Sequence, residues 1–298
     1  MKSKHNTILD YFKKINANSA YIIGFILGDG QIGVNDSGNY FLRINLHEKD
    51  VEILEFIIKE ISPTRNINSY KYTQKSGLVT PYKYIKITSN ELLTPLIKLG
   101  IVPRKTGKEI FPDIPKKYIP DFLRGLFDAD GSLAIKNKKS LSGALHYGYV
   151  FTYTCASKQL LEDIKTYFGF GKIEKSTGCF KYVVNRLDDI EKIGKIFYYN
   201  NNNFSLKRKK DRFDKIPKKT KYTAFGEIKT LMEWYRDSRC IVSKDTIRYR
   251  INHTQLSFEE CISLPQKSKT KDMYARNKNI NRKHVKNIYY AYGENKWK

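Results

Sequence analysis

The chain lacks the features that mark several large protein classes. It holds only 4 cysteines, Cys155, Cys179, Cys240 and Cys261, and no two of them form a CxxC pair. That spacing excludes a disulfide frame and a zinc cluster, and reads as free thiols of a reducing compartment. No apolar run is long enough to span a membrane, and Lys2, Lys4, Lys13 and Lys14 flank no signal-peptide core, so an intracellular protein is expected. Acid is scarce too. The chain carries 30 Asp and Glu against 55 Lys and Arg, a net charge of +25 spread along its length. A field of that size favours a polyanionic partner. With 22 tyrosines and no long basic amphipathic helix, nucleic acid fits that partner better than an anionic membrane does.

What is present centres on residues 122–132, FLRGLFDADGS. Leu123, Leu126 and Phe127 recur at spacings of three and four, which makes one buried helical face. Gly125 and Ala129 lie four apart on a second stripe, small enough for another helix to approach closely. Gly131 suits the left-handed position that closes a helix. Asp130 then falls in the last turn, where the helix dipole disfavours a carboxylate unless a cation answers it. Residues 22–30, IIGFILGDG, repeat the design with Gly24, Gly28, Asp29 and Gly30, and Asp29 precedes Asp130 by 101 residues. If the small stripes pack together, the two acids meet at one end of the pair. With divalent metal, such an arrangement is a clamp for in-line phosphodiester displacement. A calcium loop starting at DADGS is excluded, because Leu133 and Lys139 stand where that loop needs glycine and glutamate.

These stretches resemble the signature of the LAGLIDADG homing endonucleases. LRGLFDADG at 123–131 matches at most positions, and the resemblance extends back through IVPRKTGKEIFPDIPKKYIPDF. The first copy departs by carrying Leu27 where the family often has an acid. The resemblance implies that Asp29 and Asp130 are the metal-binding, catalytic acids, with Mg²⁺ as cofactor. It also implies a polar or basic residue near each metal centre. Lys86 matches one such position, His47 is a poorer match for its companion, and Lys181 is the only counterpart in the second half.

Periodicity independently gives an internal repeat. Strands are predicted over 31–34, 39–46, 66–73 and 82–88, and helices over 50–60 and 91–99. The order returns with strands over 132–136, 147–154, 172–175 and 180–185, and helices over 158–168 and 187–198. The expected fold is α+β: two tandem pseudo-symmetric αββαββα halves (1–115 and 116–206) forming a β-saddle, which is also the family's single-chain form. A basic linker (207–221) and a small α-helical C-terminal domain (222–298) follow. In the first half Arg43, Asn45, Tyr84 and Lys86 lie on polar strand faces, as do Lys181 and Asn185 in the second. They are the candidates for contact with double-stranded DNA, Arg and Asn for base edges, Lys and Tyr for phosphates.

Residues 222–263 resemble the small helix-turn-helix modules appended to mobile-element endonucleases. Ile228, Leu231, Met232 and Tyr235 share a helical face, and Ser243 reads as the N-cap of a helix carrying Lys244, Thr246, Arg248, Tyr249 and Arg250. The tail 279–298 reads as one more helix. The resemblance as a whole implies a monomer that makes a site-specific double-strand break. The alternative is a nucleic-acid-binding protein on the same scaffold without cleavage, such as an intron maturase or a regulator. Retention of both acids argues against it. An intein is not expected, since the chain runs from Met1 to Trp297-Lys298 without splice-junction residues.

Overall fold

The computed structural model describes residues 6–139, 145–217 and 220–265. The chain divides into two units, residues 1–216 and 217–298. The helix expected over 279–298 lies outside the described residues.

The first unit contains the repeat. Helix α1 (Ala17–Asp29) starts at a capping box, in which the Asn16 side chain accepts from the Ser19 amide and the Ser19 hydroxyl accepts from the Asn16 amide. It runs without a loop into β1 (Gly30–Val34), followed by β2 (Tyr40–His47), α2 (Val51–Ile61), β3 (Asn68–Thr73), β4 (Val79–Thr88) and α3 (Asn90–Lys98). After a proline-rich connection the order recurs as α4 (Ile119–Asp130), β5 (Gly131–Lys139), β6 (Leu145–Cys155), α5 (Lys158–Phe168), β7 (Lys172–Ser176), β8 (Cys179–Val184) and α6 (Leu187–Phe197). Both sheets are antiparallel, in the orders β1-β2-β4-β3 and β5-β6-β8-β7. This is the α+β architecture of two αββαββα halves that the periodicity predicts.

Alternation decides which way each strand faces. Leu42, Ile44 and Leu46 in β2 and Ile85 and Ile87 in β4 are buried, leaving Arg43, Asn45, Tyr84 and Lys86 on the opposite face. Helix α1 is apolar almost all round, with Tyr21, Ile22, Ile23, Phe25 and Ile26 fully buried. Such a helix must be covered on every side. Its own sheet and α4 cover most of it, and Phe56 of α2 and Phe204 close over Tyr21. Where α1 and α4 cross, their backbones touch: a Cβ added at Gly125 would lie 1.9 Å from the Tyr21 carbonyl oxygen.

Two expectations need correction in this unit. Gly30 and Gly131 are not left-handed. Both have extended backbone, with φ of −79° and −84°, because each chain turns straight from helix into strand. Glycine is needed there for space, since a Cβ at Gly131 would lie 2.7 Å from Cα of Phe127, one turn back. The basic stretch read as a linker is instead helix α7 (Lys207–Asp214), and its Phe213 joins the main core. Charge density hid one buried aromatic in a run of lysines.

The second unit is not purely helical. A hairpin of β9 (Lys221–Ala224) and β10 (Glu227–Thr230) turns at Phe225 and Gly226, both with positive φ. Short helices α8 (Leu231–Tyr235), α9 (Lys244–His253) and α10 (Phe258–Ser263) follow. Ile228 lies in a strand and is exposed, and Met232 and Tyr235 are exposed too. The core is built instead on Trp234, Ala224, Val242, Ile247 and Ile262. Ser243 does cap α9, accepting from the Thr246 amide.

Candidate active site

The α1–α4 crossing carries Asp29 and Asp130 to one place. Helix α1 ends at Asp29 and α4 at Asp130, and the small residues of the preceding turn let the ends close up. A Cβ at Gly28 would meet the Ala129 Cβ at 2.4 Å and the Asp130 Oδ2 at 3.0 Å. Each acid therefore sits where the other helix ends.

Electrostatics record the conflict. Burial pushes the Asp130 carboxyl up to about 6, and the charge of Asp29 pushes the same way against the pull of Lys105 and Lys209. Burial also raises Asp29, which the same two lysines lower. The repulsion is a property of the pair, and the acid that ionises second carries it. Both residues remain exposed at their surface. Their heads are thus walled in by protein on most sides while water still reaches them.

Two lysines the sequence reading missed hold this end of the helix pair. Lys105 Nζ donates to the carbonyls of Gly28 at 2.8 Å and Gly30 at 2.6 Å. Lys209 Nζ donates to Phe127 at 2.6 Å, Ala129 at 3.1 Å and Gly131 at 2.8 Å. Ala129 and Gly131 are the repeat partners of Gly28 and Gly30, so the two ammonium groups do the same work in the two halves. They satisfy terminal carbonyls, oppose the helix dipoles, and bring positive charge to the acids. Desolvation lowers both lysines, Lys209 to about 8. Lys209 spends all three of its N–H groups on carbonyls, whereas Lys105 spends two. Lys105 also lines a cleft of about 250 Å³ beside Asp130, together with Thr106, Glu109 and Cys155. Lys105 stands within the run 101–122 that carries the family resemblance, but nothing in that run singles it out. Lys209 stands in no motif, and both lie in segments that read as loop and linker.

Lys86, His47 and Lys181 are not among the charges that act most strongly on either acid. The Lys86 ammonium lies over the Phe41 ring at 4.6 Å. His47 ends β2, its Nδ1 accepting from the Lys49 amide. Lys181 pairs across the second sheet with Thr154 and Glu174.

The strand-face candidates do assemble. Arg43 lies between Gln31 and Lys86 in register, and Asn45 pairs with Tyr84, which pairs with Asn68. The Arg43 guanidinium stacks over Tyr84 at 4.9 Å and donates to Asn45 Oδ1 at 3.0 Å, which fixes its direction. In the second sheet Lys181 shares its face with Thr152, Thr154 and Val183, and Asn185 lies exposed just beyond β8. Gln31, Asn68, Tyr70 and Tyr82 join the first face by register, a relation invisible until the strands are paired.

In the second unit, Arg248 and Tyr249 are exposed on α9, and the Tyr249 ring lies tilted against that of His253. Lys244 and Thr246 are half-buried near its start. Arg250 is engaged elsewhere, donating to the carbonyls of Cys261, Leu264 and Pro265, which ties α9 to the end of α10.

Among the described residues no cluster of three or more His, Cys, Asp or Glu side chains is placed to hold a metal. Two carboxylates suit a magnesium-like ion nonetheless, because such ions are held by one or two carboxylates and complete their shell with water and substrate phosphate. Burial and then the charge of Asp29 hold Asp130 up, and a divalent cation on the pair would oppose both.

Residues 123–219 match the family described as LAGLIDADG endonuclease. The chain is 30% identical over 120 residues to a DNA polymerase of Thermococcus hydrothermalis, covering 39% of this chain but only 7% of the polymerase. The crystal structure of the I-SmaMI LAGLIDADG homing endonuclease bound to cleaved DNA is similar with a TM-score of 0.48 and 21% identity, covering 67% of this chain and 87% of that one. Homing endonuclease I-ApeII of Aeropyrum pernix is 31% identical over 134 residues, covering 42% of this chain and 72% of that protein. With that relative and the paired motif helices in place, this chain belongs to the LAGLIDADG homing endonuclease family.

Proposed function

We propose that this protein is a monomeric endonuclease that hydrolyses one phosphodiester in each strand of double-stranded DNA at a long, specific site. The observation that carries the reading is the meeting of Asp29 and Asp130 at the lysine-capped ends of α1 and α4. Asp29 and Asp130 would hold Mg²⁺, which when bound polarises phosphoryl oxygens and activates water. The protein's own part is positioning. The helix crossing fixes the distance between the acids, and the +25 chain draws the duplex in. The faces bearing Arg43, Asn45, Tyr84, Lys86, Lys181 and Asn185 select the sequence. Lys105 keeps one N–H beyond its two carbonyl bonds, suited to a phosphate oxygen in the cleft. The second unit binds further DNA through the exposed side of α9, with Arg248 and Tyr249 foremost.

Incubating the full chain with a randomised duplex library and Mg²⁺, then sequencing cut ends, tests this. The expected result is one long consensus cut on both strands. Specific retention of duplex or structured RNA without any cut end, in Mg²⁺ or Mn²⁺, would favour the binding-protein reading instead.

A further inference from the structure

Asp128 is a buried acid that the mechanism leaves unused. It is 2% exposed, and its Oδ1 has no hydrogen-bond partner among the described residues. Burying a carboxylate costs free energy unless bonds and charges compensate. Here Oδ2 accepts from the Tyr21 hydroxyl of α1 at 2.8 Å and from the Leu206 amide at 2.8 Å. Leu206 is the N-cap residue of α7, so the acid of α4 fixes the start of the helix that carries Lys209. Asp128 is also the foremost charge attracting Lys209. The connection from α6 to α7 is tied to α4 as well, with Arg124 donating to the carbonyls of Phe197, the last residue of α6, and of Phe204.

The first half does this differently. Leu27 stands at the matching motif position, and Lys105 arrives from a turn in which Arg104 has a φ of +53°. One motif has an acid and a helix-borne lysine; the other has a leucine and a loop-borne lysine. We propose that Asp128 is a positioning residue, which sets Lys209 on the end of α4 by anchoring the first turn of α7, and that the two halves of the site are therefore tuned separately. The consequence for strand cleavage rests on the endonuclease reading; the positioning itself does not.

Competitive acylation of the native protein, read by mass spectrometry, gives a test that needs no DNA, with Lys105 as internal reference. Asp128→Leu, the residue of the other half, should raise labelling of Lys209 several-fold and leave Lys105 unchanged. Asp128→Gln, which keeps polarity but displaces the anchor, should do the same if the leucine variant does not fold. Asp128→Asn keeps an acceptor for the Leu206 amide and should restore protection. Unchanged Lys209 labelling in the folded Leu or Gln variant, or a parallel rise at both lysines, overturns the proposal. On a target recovered from wild-type cleavage, the same variant should slow one strand by about tenfold and the other by no more than about twofold, so that nicked duplex accumulates. Equal slowing of both strands also counts against it. A wild-type protein that cuts no DNA would defeat the endonuclease reading alone, and the acylation result would still decide the role of Asp128.

Discussion

Gly24 rests directly on the carbonyl of Phe122: a Cβ at Gly24 would lie 2.0 Å from that oxygen. No rotamer relieves such a clash, because both partners are backbone. Gly24→Ala should therefore push α1 and α4 apart and cost about 1–3 kcal/mol, with Gly24→Leu costing more. Thermal unfolding measures this. An unchanged melting temperature for the leucine variant would contradict the close crossing. Gly38 offers the control at similar chemistry, since nothing lies within 4 Å of its Cβ position, although its φ of +78° adds local strain.

The acid pair predicts a link between pH and metal. The Asp130 carboxyl is raised in the fold, so the unfolded chain loses this proton first as pH rises. Its contribution to stability falls between the ordinary Asp value and about 6, and the full cost of the buried charge and of its repulsion by Asp29 is present above that. A divalent cation binding the native pair should then raise the melting temperature at pH 8 and not at pH 5, where Asp130 holds its proton. Calorimetry with Mg²⁺ and with EDTA at both pH values checks this. Equal shifts at the two pH values would place the metal elsewhere.

The unit boundary gives a third prediction. A chain ending at Ile216 keeps α7 and Lys209, and should still cleave. One ending at Leu206 is without Lys209 and should not cleave. Removing the second unit should flatten the slope of log K against log salt by about 0.9 for each phosphate that the shorter chain no longer neutralises. It should also shorten the footprint on one side. Identical footprints and salt slopes for the shorter chain and the full protein would mean that α9 does not touch DNA.

The repeat, both sheets and the meeting of Asp29 with Asp130 were legible because each rests on local chemistry. Small residues four apart, an acid before a glycine, and alternation along strands are all readable within a dozen positions. The lysines were not. Lys105 and Lys209 act across 77 and 78 residues of chain on backbone carbonyls, which leave no trace in side-chain sequence. Helix α7 was masked by its charge, with Phe213 and the aliphatic stem of Lys209 as its only buried side chains. In the second unit the exposed Ile228 and the buried Trp234 inverted the apparent helical face. The turn at Phe225 and Gly226, which makes the hairpin, decides that inversion.

The most direct test of the central claim is cleavage by Asp29→Asn and Asp130→Asn on the target that the wild-type chain selects. Each substitution keeps the shape of the site and removes the charge that would hold metal. Both variants should bind the target as the wild type does, and neither should release a double-strand break in Mg²⁺. A wild-type rate of double-strand cleavage by either one would contradict the account.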